Sequence, residues 1–255
     1  MLILLKKMQL NDTINLNGLK QSIYYLAKIN ASTFSQSDLN RIINIYYKQA
    51  QSAIRGINED FFMDIATTDL VANTGGTYPN EYPLPSDYEK IKQIQVAFTP
   101  SNPAAPLSTE YQVLNLIGQE SISDPSAAIT DPTAVILDNS FLLYPDPSVT
   151  TGLTLPVTKG IKVFYIAKQP DLVNDGDTPN IFSDYHDVIV WGSLIDIAVR
   201  LGNPTLLSEA SAMFTKRMNE MKSYASGRVL ELSSPYADSQ SLGGWIYLHG
   251  RNSMS

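Results

Sequence analysis

The sequence has no cysteine and only two histidines. The first absence excludes disulfides, zinc–thiolate sites and thiol nucleophiles together. The second leaves few nucleophile-and-base pairs. Charged residues are scarce, at 17% of 255, and no apolar run is long enough to span a bilayer. No basic run interleaved with aromatics occurs, and the net charge is −7. Phosphates repel such a surface, so a nucleic-acid reader is excluded. A channel wall past which DNA slides without sticking is compatible with that sign. The opening apolar run, Leu2 to Leu5, is too short for a signal-peptide core, and its lysines follow it instead of preceding it. The expectation is an intracellular soluble protein, or one assembled inside a cell.

What is present is enough to build a core. Hydrophobic residues make up 44% of the chain, and 14 tyrosines offset the shortage of charge. Tyrosine carries an apolar ring and a polar tip, which suits surfaces where protein meets protein. The length fits one large domain or two small ones.

The texture changes twice along the chain. Up to about Asn58 it is helical. Leu16, Leu19, Ile23, Leu26 and Ala27 have helical spacing, and a second stripe runs through Leu39, Ile42, Ile43, Tyr46, Ala50, Ala53 and Ile57. Ser35 with Asp38 resembles a capping box, and Gly56 ends the helix. The middle, 59–171, holds most of the prolines and short strand-like runs: Ile91 to Phe98, Tyr111 to Ile117, Ala134 to Asp138, Ser140 to Tyr144 and Ile161 to Ala167. These predict an antiparallel β-domain. Asp138 and Asn139 read as a hairpin turn in left-handed geometry, Ser86 and Asp87 as a tight elbow into a sheet, and the loop Thr99 to Ser108 as a protrusion. From 172 the helical pattern returns. One helix runs to about Leu201, Gly202, Asn203 and Pro204 close it and start the next, and Gly227 ends that one. Residues 228–255 read as an extended arm carrying Trp245, Ile246, Tyr247 and Leu248. The predicted fold is therefore α+β. A helical bundle from 1–58 and 172–227 carries an inserted antiparallel β-domain, and a C-terminal arm follows.

The segment Ser183, Asp184, Tyr185, His186, Asp187 tests for chemistry. Ser183 can cap a helix, and Asp184 and Asp187 favour its positive end. His186 is expected to donate to a neighbouring carboxylate. A metal pair on a helix needs a ligand four residues away, and those positions hold Phe182 and Val190. The segment is read as structural. Asp171, Asp175 and Asp177 around Gly176 lack calcium-loop spacing and read as a solvated loop. No phosphate loop, nucleophile elbow or dinucleotide fingerprint occurs, so no cofactor or metal is assigned.

Two stretches, "YPLPSDYEKIKQIQV" and "IKVFYIAKQPDLVNDGDTPNIFSDYHDVIVWGSLIDIAVRLGNP", resemble the head-to-tail adaptor (connector) proteins of tailed bacteriophages. Tyr185, Asp187, Gly192, Leu194 and Ala198 match the second pattern, and Asp38, Leu39, Asn44 and Tyr47 match an N-terminal helix of the same proteins. The resemblance implies a structural virion protein with no catalysis. It implies a ring of twelve copies between the portal and the tail or a second connector protein, with genomic DNA passing through unread and no membrane contact. It places the protein at the head–tail junction after assembly in the host cytoplasm. The aromatic arm then serves as an anchor on the portal or a neighbouring subunit. The rivals are a tail-tube or baseplate component, and a tail-associated carbohydrate-active protein. The Tyr-rich β-domain and abundant Asp motivate the latter, because paired catalytic acids need not be close in sequence.

Overall fold

The computed structural model describes residues 7–12, 14–30, 32, 34–72, 74–118 and 128–232. They fold as two compact units. One comprises the chain up to Asn58 together with the chain from Asp171 onward, and the other is Glu59–Pro170.

The first unit has four helices, α1 (Leu19–Ala27), α2 (Gln36–Arg55), α3 (Asp187–Leu201) and α4 (Pro204–Leu232). Helix α3 packs against the other three, and α2 also meets α4. Its sequence dictates that central place, because Val188, Ile189, Val190, Leu194, Ile197 and Ala198 are apolar around most of the helix and all are buried. Of the predicted stripe of α2, Leu39, Ile42, Ile43, Tyr46 and Ala50 are buried, whereas Ala53 is half-buried beside buried Ile54 and Ile57 lies beyond the helix. Ser35 caps α2 by accepting the Asp38 N–H at 3.5 Å. Gly202 ends α3 at φ +61. The Asn203 side chain then accepts the Leu206 N–H at 3.1 Å, and Pro204 takes the first helical position.

Two helix boundaries differ from the sequence reading. Helix α1 begins at Leu19, because Leu16 has φ +54 and Gly18 is extended. Leu16 is also 70% exposed, so it lies outside the apolar stripe. Helix α4 does not stop at Gly227 but runs to Leu232. One exposed glycine in a helix costs only about 1 kcal/mol, and the flanking Ala225 and Arg228 favour the helix. Residues 228–232, assigned to the extended arm, are therefore helical, and 233–255, with Trp245, Ile246, Tyr247 and Leu248, lie outside the described residues.

The second unit is a two-sheet sandwich. One sheet has the order β1 (Met63–Leu70), β8 (Val157–Ala167), β3 (Tyr88–Val96), β4 (Gln112–Val113). The other has β2 (Glu81–Pro83), β7 (Ser140–Tyr144), β6 (Thr133–Ile136), β5 (Asn115–Ile117). Ile94, Ile161 and Val163 from the first sheet share a core with Tyr82, Ala134, Phe141 and Leu143 from the second. Pairing is antiparallel with one exception, β5 on β6. The run 112–117 passes from one sheet to the other at buried Leu114, and the chain from 118 to 132 is long enough for the crossover a parallel pair needs. The β6–β7 hairpin closes through Leu137 N–H to the Ser140 carbonyl at 2.9 Å. Neither Asp138 nor Asn139 is left-handed there, against expectation. The elbow at Asp87 is fixed to β8 twice: its carbonyl accepts the Lys168 N–H at 2.7 Å, and its carboxylate accepts the Tyr165 hydroxyl at 3.1 Å. The loop from Thr99 to Ser108 is exposed yet tied down, because the Glu110 carboxylate accepts the N–H of both Ser101 and Leu107, each at 2.7 Å.

Candidate functional site

Ser183 to Tyr185 form a 3₁₀ turn, and α3 follows from Asp187. Ser183 does not cap α3, whose N-cap position is His186 without a side-chain bond. Ser183 lies one turn too early to cap, and across the helical unit α4 brings Arg217 to this turn. Its guanidinium donates to both Asp187 oxygens (Nε to Oδ2 2.7 Å, Nη2 to Oδ1 2.9 Å), to Glu220 Oε2 at 2.6 Å and to the Asp184 carbonyl at 2.6 Å. Its plane sits 4.9 Å from the Tyr185 ring centre. Asp187, followed by Glu220, holds the guanidinium proton more tightly than usual, against the opposing effect of burial. Tyr224 of α4 closes the cluster, 5.0 Å from Phe182 edge-on and 5.7 Å from Tyr185, with Arg228 over both Phe182 and Tyr224. The structure thus brings Asp184, Tyr185 and Asp187 together around one arginine, while the Ser183 hydroxyl donates to Asp184 at 3.4 Å. Sequence reasoning missed Arg217. Its signal was a charged residue at the margin of the stripe formed by Phe214, Met218 and Met221.

The acidic loop before this turn is clasped by α2. Asn44 makes a two-point bond to Leu172, donating to its carbonyl at 3.0 Å and accepting its N–H at 2.8 Å. The Tyr47 hydroxyl accepts the Asn180 N–H at 2.9 Å. Within the loop, Asp177 Oδ2 accepts the N–H groups of Val173 and Asn174, both at 2.7 Å. Those two bonds hold its carboxyl below the usual range. Residues 8–11 lie along the other side. Leu10 and Asn11 donate to the carbonyls of Asp177 and Asp175 at 2.7 and 3.0 Å, and buried Lys20 reaches Asp175 at 3.4 Å.

His186 is 1% exposed. It does not donate to a carboxylate. Its Nδ1 accepts the Met8 N–H at 3.0 Å, so the proton resides on Nε2. Burial lowers its proton affinity below the ordinary value, against the pull of the Ile181, Met8 and Pro179 backbone. Among the described residues no group of three or more histidines and carboxylates could hold a metal ion.

At Gly192 the backbone of α3 lies close against Tyr46 of α2. A Cβ placed there would lie 2.2 Å from Tyr46 Cδ1. The Tyr46 ring is held edge-on by Phe214 at 5.5 Å, and its hydroxyl donates to Asp196 at 3.1 Å. Burial, with Asp196 beside it, pushes the phenol up to about 12.

The helical unit leaves several apolar side chains exposed, Val173 among them. Tyr25, Val199 and Leu201 lie near the end where the α1 C-terminus, the α2 N-terminus and the α3 C-terminus meet. Tyr24 bonded to Gln36, and Arg200 paired with Asp38, tie that end together. Ile14 and Leu16 project from the turn before α1, where Asp12 Oδ1 accepts the N–H groups of Ile14 and Asn15 at 3.1 and 2.9 Å.

A family model described as the SU10 adaptor protein matches residues 17–236. The chain belongs to that family. No curated protein matches it. The match spans all four helices and both sheets of the adaptor and stops short of Trp245 to Leu248. The protein is a structural adaptor of a bacteriophage and is associated with the virion. The family role is structural, and it fits a cluster at Asp187 whose polar groups are engaged with one another.

Proposed function

We propose that this adaptor is a ring-forming connector subunit that joins the portal to the tail, with twelve copies around a passage for the genomic DNA. The family match over 17–236 carries this reading. Two further features support it. The helical unit exposes apolar side chains at more than one place, Tyr25, Val199 and Leu201 among them and also Ile14 and Leu16. A closed ring is built from heterologous contacts and needs two different faces on each subunit. The net charge of −7 lets DNA pass without binding. The helix-start cluster of Asp184, Tyr185 and Asp187 acts as scaffold, and the aromatic arm acts as the anchor to neighbouring virion proteins. No catalytic step is assigned. Light scattering and negative-stain micrographs of the purified protein, alone and with portal, test this. Rings, or assembly that depends on portal, are expected. A strict monomer that ignores portal overturns the proposal, and gold labelling of virions at the baseplate instead of the head–tail junction overturns its placement.

A further inference from the structure

Among the described strands, β1 differs from the other sheet edges. The order β1-β8-β3-β4 leaves one side of β1 without a neighbour. The remaining edge strands, β4, β2 and β5, have two or three residues each, and β2 ends in Pro83. Short strands and prolines are common ways of shielding an edge. Strand β1 has eight residues and neither lysine nor proline. Its single irregularity lies at the far end, between Thr68 and Leu70. Met63, Ile65 and Thr67 share one face, and Met63 and Ile65 are 46% and 50% exposed.

The charge on this edge restricts what can cover it. Asp64 and Asp69 are both exposed on β1. Pairing β1 with β1 of another copy would place four carboxylates along one ladder, and like charges across strands are destabilising. The chain contains a complementary segment. Trp245, Ile246, Tyr247 and Leu248 are consecutive residues of high strand preference, set off by Gly243, Gly244 and Gly250. After Asp238 no acidic side chain occurs, and Arg251 is the only charged one, with His249 beside the run. Helix α4 is described as far as Leu232. The residues from 233 to 244 span about 40 Å when extended, enough to reach a neighbouring subunit.

We propose that the segment around Trp245–Leu248 of one copy adds as a strand to the open edge of β1 in the next copy. Its apolar side chains lie beside Met63 and Ile65, and Arg251 lies near the β1 carboxylates. The inference rests on the ring reading above, in which each copy offers one edge and one arm, so the pairing closes with none left over.

The absence of native cysteine gives a direct test. Thr67→Cys and Tyr247→Cys variants of the full chain, one carrying a size tag, are mixed under mild oxidation. Their disulfide-linked heterodimer is expected to exceed that from Thr67→Cys with an exposed α4 control, Thr215→Cys, by about tenfold, the ratio that 1.4 kcal/mol of pairing gives. Met63→Cys replaces Thr67→Cys if the latter fails to fold. Ile246→Pro, which removes a ladder N–H, should abolish the cross-link. Arg251→Asp should weaken it, and Asp64→Lys in the partner should restore it. A yield equal to the control overturns the proposal, as does a Thr67→Cys/Tyr247→Cys double variant that cross-links only within one chain. Rings without the cross-link refute the strand pairing alone. Cross-linked chains that never form rings or engage portal refute the connector reading instead.

Discussion

Gly192→Ala should destabilise the adaptor, although an alanine in a helix interior is ordinarily worth about 1 kcal/mol more than glycine. The new Cβ would sit 2.2, 2.6 and 2.9 Å from Tyr46 Cδ1, Cγ and Cε1, whereas carbon atoms rest about 3.5–4.0 Å apart. The ring must retreat by more than about 1 Å. It has little freedom to do so, because Tyr46 is 8% exposed, packed on Phe214 and bonded through its hydroxyl to Asp196. The clash involves atoms next to the Tyr46 backbone, not a flexible tip. Overpacking of this kind costs about 1–3 kcal/mol, here at the upper end, which leaves a net loss of about 2 kcal/mol after the helix gain. Urea denaturation followed by far-ultraviolet circular dichroism measures it. The decisive comparison is made in a Tyr46→Ala background, where the obstruction is gone. There Gly192→Ala should become stabilising by up to about 1 kcal/mol. A Gly192→Ala protein as stable as the parent, or the same loss in both backgrounds, would refute the close-approach explanation.

Three other outcomes are expected. Arg217→Met, which removes a two-point pair with Asp187 and a bond to the Asp184 carbonyl, should cost about 2–3 kcal/mol, and a double-mutant cycle with Asp187→Asn should show coupling above about 1 kcal/mol. Asn44→Ala should cost about 2 kcal/mol through both of its bonds to Leu172 and should speed limited proteolysis between 171 and 180, while Asn44→Asp, which keeps the acceptor, should lose about half as much. The pH dependence follows from His186, whose proton affinity in the folded state lies below its ordinary 6.5. The unfolded chain takes up that proton first as pH falls, so stability is complete above pH 6.5. It declines below 6.5 until the folded-state value is reached, by up to about 1.4 kcal/mol per pH unit. His186→Gln should flatten urea midpoints between pH 6.5 and 5. Asp175, Asp177, Glu59 and Glu110, all shifted down, add their losses only at lower pH.

The elements that were legible in the sequence are those whose signal is local. The stripe of α2, the all-round apolar character of α3, and the Gly202, Asn203, Pro204 junction need only neighbours within a few residues. Strand β1 was missed because "MDIATTDL" lies at an edge, where neither face needs a continuous apolar row. The parallel pairing of β5 with β6 depends on which sheet the run 112–117 enters, and a two-residue difference in pairing leaves the side-chain alternation unchanged. His186 was misjudged for a similar reason. Its partner is the N–H of Met8, 178 residues away, and no local pattern announces such a contact. The Arg217–Asp187 pair spans 30 residues and joins two helices whose relative rotation the stripes define only coarsely.

The residues that carried the family resemblance have a common physical character. Gly192 permits a close approach, Asn44 and Tyr47 clasp the acidic loop, and Asp187 holds Arg217. Asn44, Tyr47 and Asp187 spend their hydrogen bonds on the protein's own backbone or side chains. A substrate or ion would have to displace bonds of 2.7–3.0 Å, each costing more than a surface contact returns. Under the proposed connector reading, recognition of other virion proteins draws on groups the fold leaves exposed. Among the described residues these include Ile14 and Leu16, beside the Asp12 turn, Tyr25, Val199 and Leu201 near the opposite end of α1, and the open side of β1. In the proposed ring, the exposed apolar side chains of the helical unit and the open side of β1 are the features with which repeated copies of one chain would build on each other without any chemistry at all.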